Sequence, residues 1–131
     1  MNRETALQYA ARGWPVFRLS GVKKPLKGSH SFKDATTDVA EVDRQFSETP
    51  WANVGLATGK IVVFDCDGPG GYAKLETLAA PHGGLPATLI AQTARGPHYY
   101  FLAPPGVEIR SSTEKRAKGK DGLDIKASGG Y

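Results

Sequence analysis

Apolar residues along this chain fall into short groups with two different periods. Ala6, Leu7, Ala10 and Ala11 recur at helical spacing and Gly13 supplies a C-terminal stop, which predicts a helix over residues 5–12. Residues 14–19 read as extended, and 21–32 as a basic loop in which Pro25 biases Lys24 away from helix. Asp38 followed by Glu41 is a capping-box pattern ahead of Val39, Val42 and Phe46, so a second helix is expected over 39–47, ended by Pro50. Two apolar runs, 53–57 and 61–65, flank Thr58-Gly59-Lys60 and predict strands joined by a tight turn. A third helix is expected over 72–80, closed by Pro81, and then strands at 88–93 and 98–102 around Ala94-Arg95-Gly96-Pro97. The charged stretch 107–122 reads as a mobile loop, and 123–126 alternates as a half-buried strand does.

This order of elements points to an α+β fold with a mostly antiparallel sheet. The 131 residues suffice for one core, and 16 Gly with 9 Pro cut them into short elements without any repeat. The last residues, Gly129-Gly130-Tyr131, follow a turn signal, so a further strand is expected beyond them in a longer chain. No apolar run approaches the roughly 20 residues of a membrane span. A single cysteine, Cys66, and the lack of a charged-then-apolar leader favour a reducing cytoplasm. Cys66 with His30, His82 and His98 offers no spacing for a closed zinc site, so no zinc is expected. The formal charge is +4, but residues 1–33 carry seven cations against Glu4 alone. That permits a polyanionic partner without requiring one.

The sharpest chemical signal is Ile61-Val62-Val63-Phe64-Asp65-Cys66-Asp67-Gly68. Residues two apart in a strand share a face, so Asp65 and Asp67 project together at the end of an apolar run while Cys66 turns the other way. Two adjacent carboxylates repel unless a divalent cation neutralises them, and Mg²⁺ or Mn²⁺ takes hard oxygen ligands of this kind together with substrate phosphates. The plainer reading is a polar strand end entering the Gly68-Pro69-Gly70-Gly71 loop. His98, beside Arg95, could donate to a phosphate or simply cap a hairpin. Asp124, between Leu123 and Ile125, would read alone as a surface aspartate. Arg95, Arg110, Lys115, Arg116, Lys118, Lys120 and Lys126 are enough cations to meet a triphosphate or a nucleic-acid backbone, and Lys23 and Lys24 extend the basic surface at the front. Either set could equally be a solvated face. No Gly-Lys-Ser/Thr follows the glycines at 68–71, which argues against a Walker-type loop. Trp14 and Trp51 are expected in the core.

Taken in order, these pieces resemble the N-terminal bifunctional DNA primase/polymerase (prim-pol) domain. The resemblance runs through residues 6–17, Lys23-Lys24-Pro25-Leu26, 32–38 and 53–59, and then through three motifs. Val63-Phe64-Asp65-Cys66-Asp67-Gly68 is similar to the family's Asp-x-Asp motif, Gly96-Pro97-His98-Tyr99-Tyr100-Phe101 to its histidine motif, and Gly122-Leu123-Asp124-Ile125-Lys126 to its third. The resemblance implies a member of the archaeo-eukaryotic primase superfamily, a two-lobed domain with an RRM-like antiparallel or mixed catalytic sheet. It implies that Asp65, Asp67 and Asp124 bind catalytic Mg²⁺ or Mn²⁺ ions, and that His98, helped by Arg95 and Lys126, contacts the incoming NTP or dNTP. Lys23, Lys24 and Arg110 are the candidates for contact with a single-stranded DNA template, and a helicase module is the expected companion further along the chain. Lys126 stands where relatives often carry arginine, keeping the charge but losing the bidentate fork.

Two other classes compete. Val62-Val63-Phe64-Asp65-Cys66-Asp67-Gly68 also resembles the first motif of haloacid-dehalogenase-type phosphatases, with Asp65 as nucleophile. Pro69 stands where those enzymes carry threonine, and no downstream paired-aspartate motif appears. The third possibility is a catalytically inert nucleic-acid-binding domain.

Overall fold

In the computed structural model, which describes residues 2–21 and 23–131, the alanine-spaced segment forms α1, Asn2–Ala11, with Ala6 and Ala10 buried. Small side chains on that face let it pack on α2, Val39–Glu48, whose Val42 and Phe46 are fully buried. Asp38 caps α2, accepting from the N–H groups of Ala40 and Glu41 at 3.0 and 3.3 Å. Glu41 does not complete a capping box. Its carboxylate takes the Arg44 guanidinium, Nε to Oε2 at 3.0 Å, and this pairing, with Gln45, holds its pKa down at about 2. Strand β1, Val16–Leu19, pairs antiparallel with β2, Asn53–Leu56, and Val16 joins Ala52 and the helix residues in one apolar cluster. Gly55 lies opposite Phe17, and a Cβ there would come within 2.6 Å of the ring.

These elements, Met1–Ala57 with Tyr131, make one compact unit, and Thr58–Gly130 makes a second. The second unit is a four-stranded sheet with one main helix. Its strands are β3 (Ile61–Asp67), β4 (Leu89–Thr93), β5 (Gly96–Leu102) and β6 (Gly122–Lys126), in the order β4-β5-β3-β6, and every pairing is antiparallel. Helices and antiparallel strands together make an α+β fold. Period-two alternation divides the sheet's side chains. Cys66, Tyr99 and Leu123 bury one face against Leu75 of α3, Gly68–Ala79, with Phe64, Tyr72 and Phe101 around them. Phe64 and Phe101 meet edge to face at 5.7 Å.

Several expectations change. β2 and β3 are not a hairpin: β2 pairs with β1, and β3 with β5 and β6, because the partners that complete each sheet lie far away in sequence. Helix α3 begins at Gly68 and not at residue 72. Pro69 suits a first helical turn, and the Gly70 N–H donates to Asp121 Oδ2 at 2.7 Å, supplying a cap from a distant loop. The glycines permit close packing that no local rule predicts. A Cβ on Gly70 would reach Asp121, and one on Gly71 would overlap the carbonyl oxygen of Gly122. Residues 107–122 are irregular but tied to the sheet through a bridge between Ser112 and Ile125. Trp14 is half-buried and stacks on Tyr9 at 5.4 Å, whereas Trp51 is 62% exposed and not a core residue.

The Gly71 contact makes a directional prediction. Gly→Ala in an ordinary helix interior gains up to about 1 kcal/mol. Here Gly71→Ala is expected to lose about 1–3 kcal/mol, because the obstructing atom is backbone and the helix must back away from β6. Denaturant unfolding of the two proteins reads the difference, and a stabilised variant would contradict the close approach.

Candidate active site

Strand β3 is an inner strand, and its register sets the site. Asp65 lies directly opposite His98 of β5 on one side and Asp124 of β6 on the other. Residues opposite one another across a ladder share a face, as do residues two apart, so Asp65, Asp67, His98 and Asp124 all project from the face opposite α3. Cys66 points into the α3 side, where burial first and the Asp65 charge second raise its thiol pKa. It is an inert core thiol. Carboxylates facing each other across a ladder destabilise a sheet unless something balances them.

The chain's own donors do so here. His98 Nε2 lies 2.9 Å from Asp65 Oδ1. Arg95, on the two-residue turn between β4 and β5, places Nε 2.7 Å from Asp67 Oδ1. Arg116 reaches both other carboxylates. Its Nη1 donates to Asp124 Oδ1 at 2.9 Å and to the Glu114 carbonyl at 3.2 Å, and its Nη2 to Asp67 Oδ2 at 2.9 Å and Asp124 Oδ2 at 3.2 Å. Its Nε donates to the Lys120 carbonyl at 3.1 Å, so all five guanidinium N–H donors have an acceptor. The Arg116 hydrogen bonds hold Asp124 below the usual carboxylate range against the opposing effect of burial, with the Glu114 N–H and Lys126 assisting. The same carboxylates raise the Arg116 pKa.

Asp124 is therefore not the surface aspartate its local sequence suggests. It is 8% exposed, because the charged stretch before β6 folds back over it. Glu114 anchors that stretch. Its Oε2 accepts the Leu123 N–H at 2.9 Å, its Oε1 pairs with Lys74 of α3, and its own N–H donates to Asp124 Oδ1 at 2.9 Å. Lys74 first and the Leu123 N–H second lower the Glu114 pKa. Sequence reasoning does not find Glu114, and counts Arg116 only among cations able to meet phosphates; nothing local marks either. Lys126 lies opposite Val63 on the site face. Arg110 is exposed and forms a bridge with Ser128, while Lys23 and Lys24 are exposed on a loop of the first unit.

The donor set suits a hard divalent cation. Asp67 Oδ1 is buried and accepts no hydrogen bond, since the nearby Arg95 Nε–H contributes charge without alignment. Three carboxylates from two adjacent strands are the oxygen ligands that Mg²⁺ or Mn²⁺ prefers. Among the described residues, however, no group of three or more His, Cys, Asp or Glu side chains is arranged to hold a metal ion as the side chains stand. The Arg116 guanidinium spans Asp67 and Asp124 instead.

The family model of the bifunctional DNA primase/polymerase, N-terminal domain (Prim-Pol) matches residues 6–131. The chain belongs to this family. No curated protein and no solved structure gives a significant match. Primase/polymerase-type nucleotidyl transfer, with DNA and nucleotides as substrates, is thus the chemistry of this Prim-Pol domain at the family level. The phosphatase resemblance rests on one local run, whereas the Prim-Pol match takes in both units. No helix among the described residues is long and apolar enough to cross a membrane.

The Asp124–Arg116 pairing makes a pH prediction. The folded pKa of Asp124 lies below its ordinary 3.8, so its stabilising contribution is complete above that value and is lost as pH falls through the folded pKa. The stability difference between the native protein and Asp124→Asn is expected to be flat from pH 5 to 7 and to shrink below about 4. Urea unfolding across that range checks it, and a difference that widens on acidification would contradict the pairing.

Proposed function

We propose that this Prim-Pol domain extends nucleic-acid chains on a single-stranded DNA template, through two divalent cations held by Asp65, Asp67 and Asp124. The observation that carries the reading is the register row His98, Asp65, Asp124, with Asp67 two residues on, which aims three carboxylates and an imidazole at one patch of sheet. Bound Mg²⁺ or Mn²⁺ would activate the attacking 3′-hydroxyl and stabilise charge on the transferring phosphate and the departing pyrophosphate. The carboxylates supply the negative charge that retains the ions. His98, half-buried at the strand start, would donate to phosphate oxygens of the incoming NTP or dNTP. Arg95 has a side chain 59% exposed at the rim of the same patch and, with Lys126, adds positive charge for the triphosphate.

Template contact falls to the exposed cations, with Lys23, Lys24 and Arg110 as the assigned residues. Replication of a plasmid, phage or integrated element, a cytoplasmic setting and a following helicase module belong to the same reading. Catalysis within a longer protein that contains residues 1–131 is the form in which it is tested.

Three results are expected. In incorporation of labelled nucleotides on single-stranded DNA with Mn²⁺ or Mg²⁺, Asp65→Ala or Asp67→Ala should lower synthesis by more than about a hundredfold, since losing a direct ligand exceeds the 10–100-fold cost of losing its support. Retained synthesis would sink the metal assignment, and native protein that binds DNA but never incorporates would favour an inert binding module. His98→Ala should raise the KM for nucleotide by about tenfold, the worth of one charge-assisted hydrogen bond. Template affinity should fall as salt rises.

A further inference from the structure

We propose that Arg116 is a resident counter-cation of the carboxylate site, which an incoming divalent ion must displace from Asp67 and Asp124. The inference rests on the metal-binding reading above and goes beyond it by assigning a residue that competes with the ion. Its basis is the completeness of the Arg116 site. All five N–H donors are used, and the side chain is 17% exposed. The neighbouring strand position leaves it room: Gly122 lies opposite Asp67, and a Cβ there would come within 2.6 Å of the guanidinium carbon.

The lone pairs that Arg116 occupies are those a metal would need. Asp124 presents Oδ1 to Arg116 and the Glu114 N–H, and Oδ2 to Arg116. Asp67 presents Oδ2 to Arg116 and keeps Oδ1 without a hydrogen bond. Asp67 Oδ1 is itself buried with Arg95 Nε 2.7 Å away, so a divalent ion that is to be shared by Asp67 and Asp124 gains them only if the Arg116 guanidinium leaves. Like charges at ligand distance in a poorly solvated site make joint occupancy costly. Displacement need not unfold the segment. Glu114 stays anchored to Lys74 and to the Leu123 N–H, while the stretch after it, with exposed Lys115, Lys118 and Lys120, follows Arg116 outward.

Binding of Mn²⁺ alone, followed by the electron-spin resonance of the free ion, tests this on the native protein, Arg116→Gln and Asp67→Asn. Arg116→Gln should bind Mn²⁺ at least about tenfold more tightly, the factor that one lost charge-assisted hydrogen bond represents. Asp67→Asn should lose binding. In the native protein, saturating Mn²⁺ should speed tryptic cleavage within 115–120, and in Arg116→Gln that cleavage should be fast with or without the ion. A folded Arg116→Gln that binds Mn²⁺ no better than native overturns the proposal while leaving the metal site standing, provided Asp67→Asn still abolishes binding. If Arg116→Gln fails to fold, native cleavage that Mn²⁺ leaves unchanged or slows overturns it. Failure of both native protein and Arg116→Gln to bind Mn²⁺ would remove the metal reading itself.

Discussion

The balance of charge on one face of the second unit's sheet is the constraint on which the site depends. Asp65 faces Asp124 across a strand pair, with Asp67 two residues further on, an arrangement that costs free energy unless cations stand among the carboxylates. Arg95 and Arg116 occupy those places in the folded chain, and the His98 imidazole stands against Asp65. Each comes from a different part of the sequence: the start of β5, the turn before it and the segment leading into β6. The proposed exchange of Arg116 for an external cation would leave that balance of charge in place.

Register is what makes the arrangement exact enough to use. A slip of one residue in β3 would turn Asp65 and Asp67 toward α3 and expose Cys66 on the site face. Apolar packing prevents it. Cys66, Tyr99, Leu123 and Leu75 interlock on the far side, so the hydrophobic face secures the polar one. The loops at the same end of the sheet are held by contacts that require missing side chains. Gly96 has φ +144°, and a Cβ there would overlap the Cys66 carbonyl, while Gly71 and Gly122 bring α3 and Arg116 against β6. The glycine-rich run after Asp67 thus serves close packing of a helix start, and Asp121 supplies the cap that the Asp67 side chain, turned to the site, does not.

Much of this was legible in the linear chain. Helical spacing located α1, a capping pattern α2, a turn signal β4 and β5, and alternation β6, while period two placed Asp65 and Asp67 on one face with Cys66 on the other, because each is a local consequence of backbone geometry. The ordered motifs around Asp65, His98 and Asp124 identified the family that the whole-chain match establishes. Strand partnership was not legible. The turn at Thr58-Gly59-Lys60 suggested a hairpin, yet β2 and β3 belong to different sheets, since pairing is decided by which distant strand completes a buried face. Nor did the charged stretch 107–122 reveal its role: as sequence it is a solvated loop, but Glu114 and Arg116 acquire meaning only when β6 brings Asp124 beside β3. The kinds of element and the facing of the carboxylates follow from the local order of residues. Which cations balance those carboxylates follows only from the folded chain, because it depends on long-range placement of charges whose spacing along the chain carries no period.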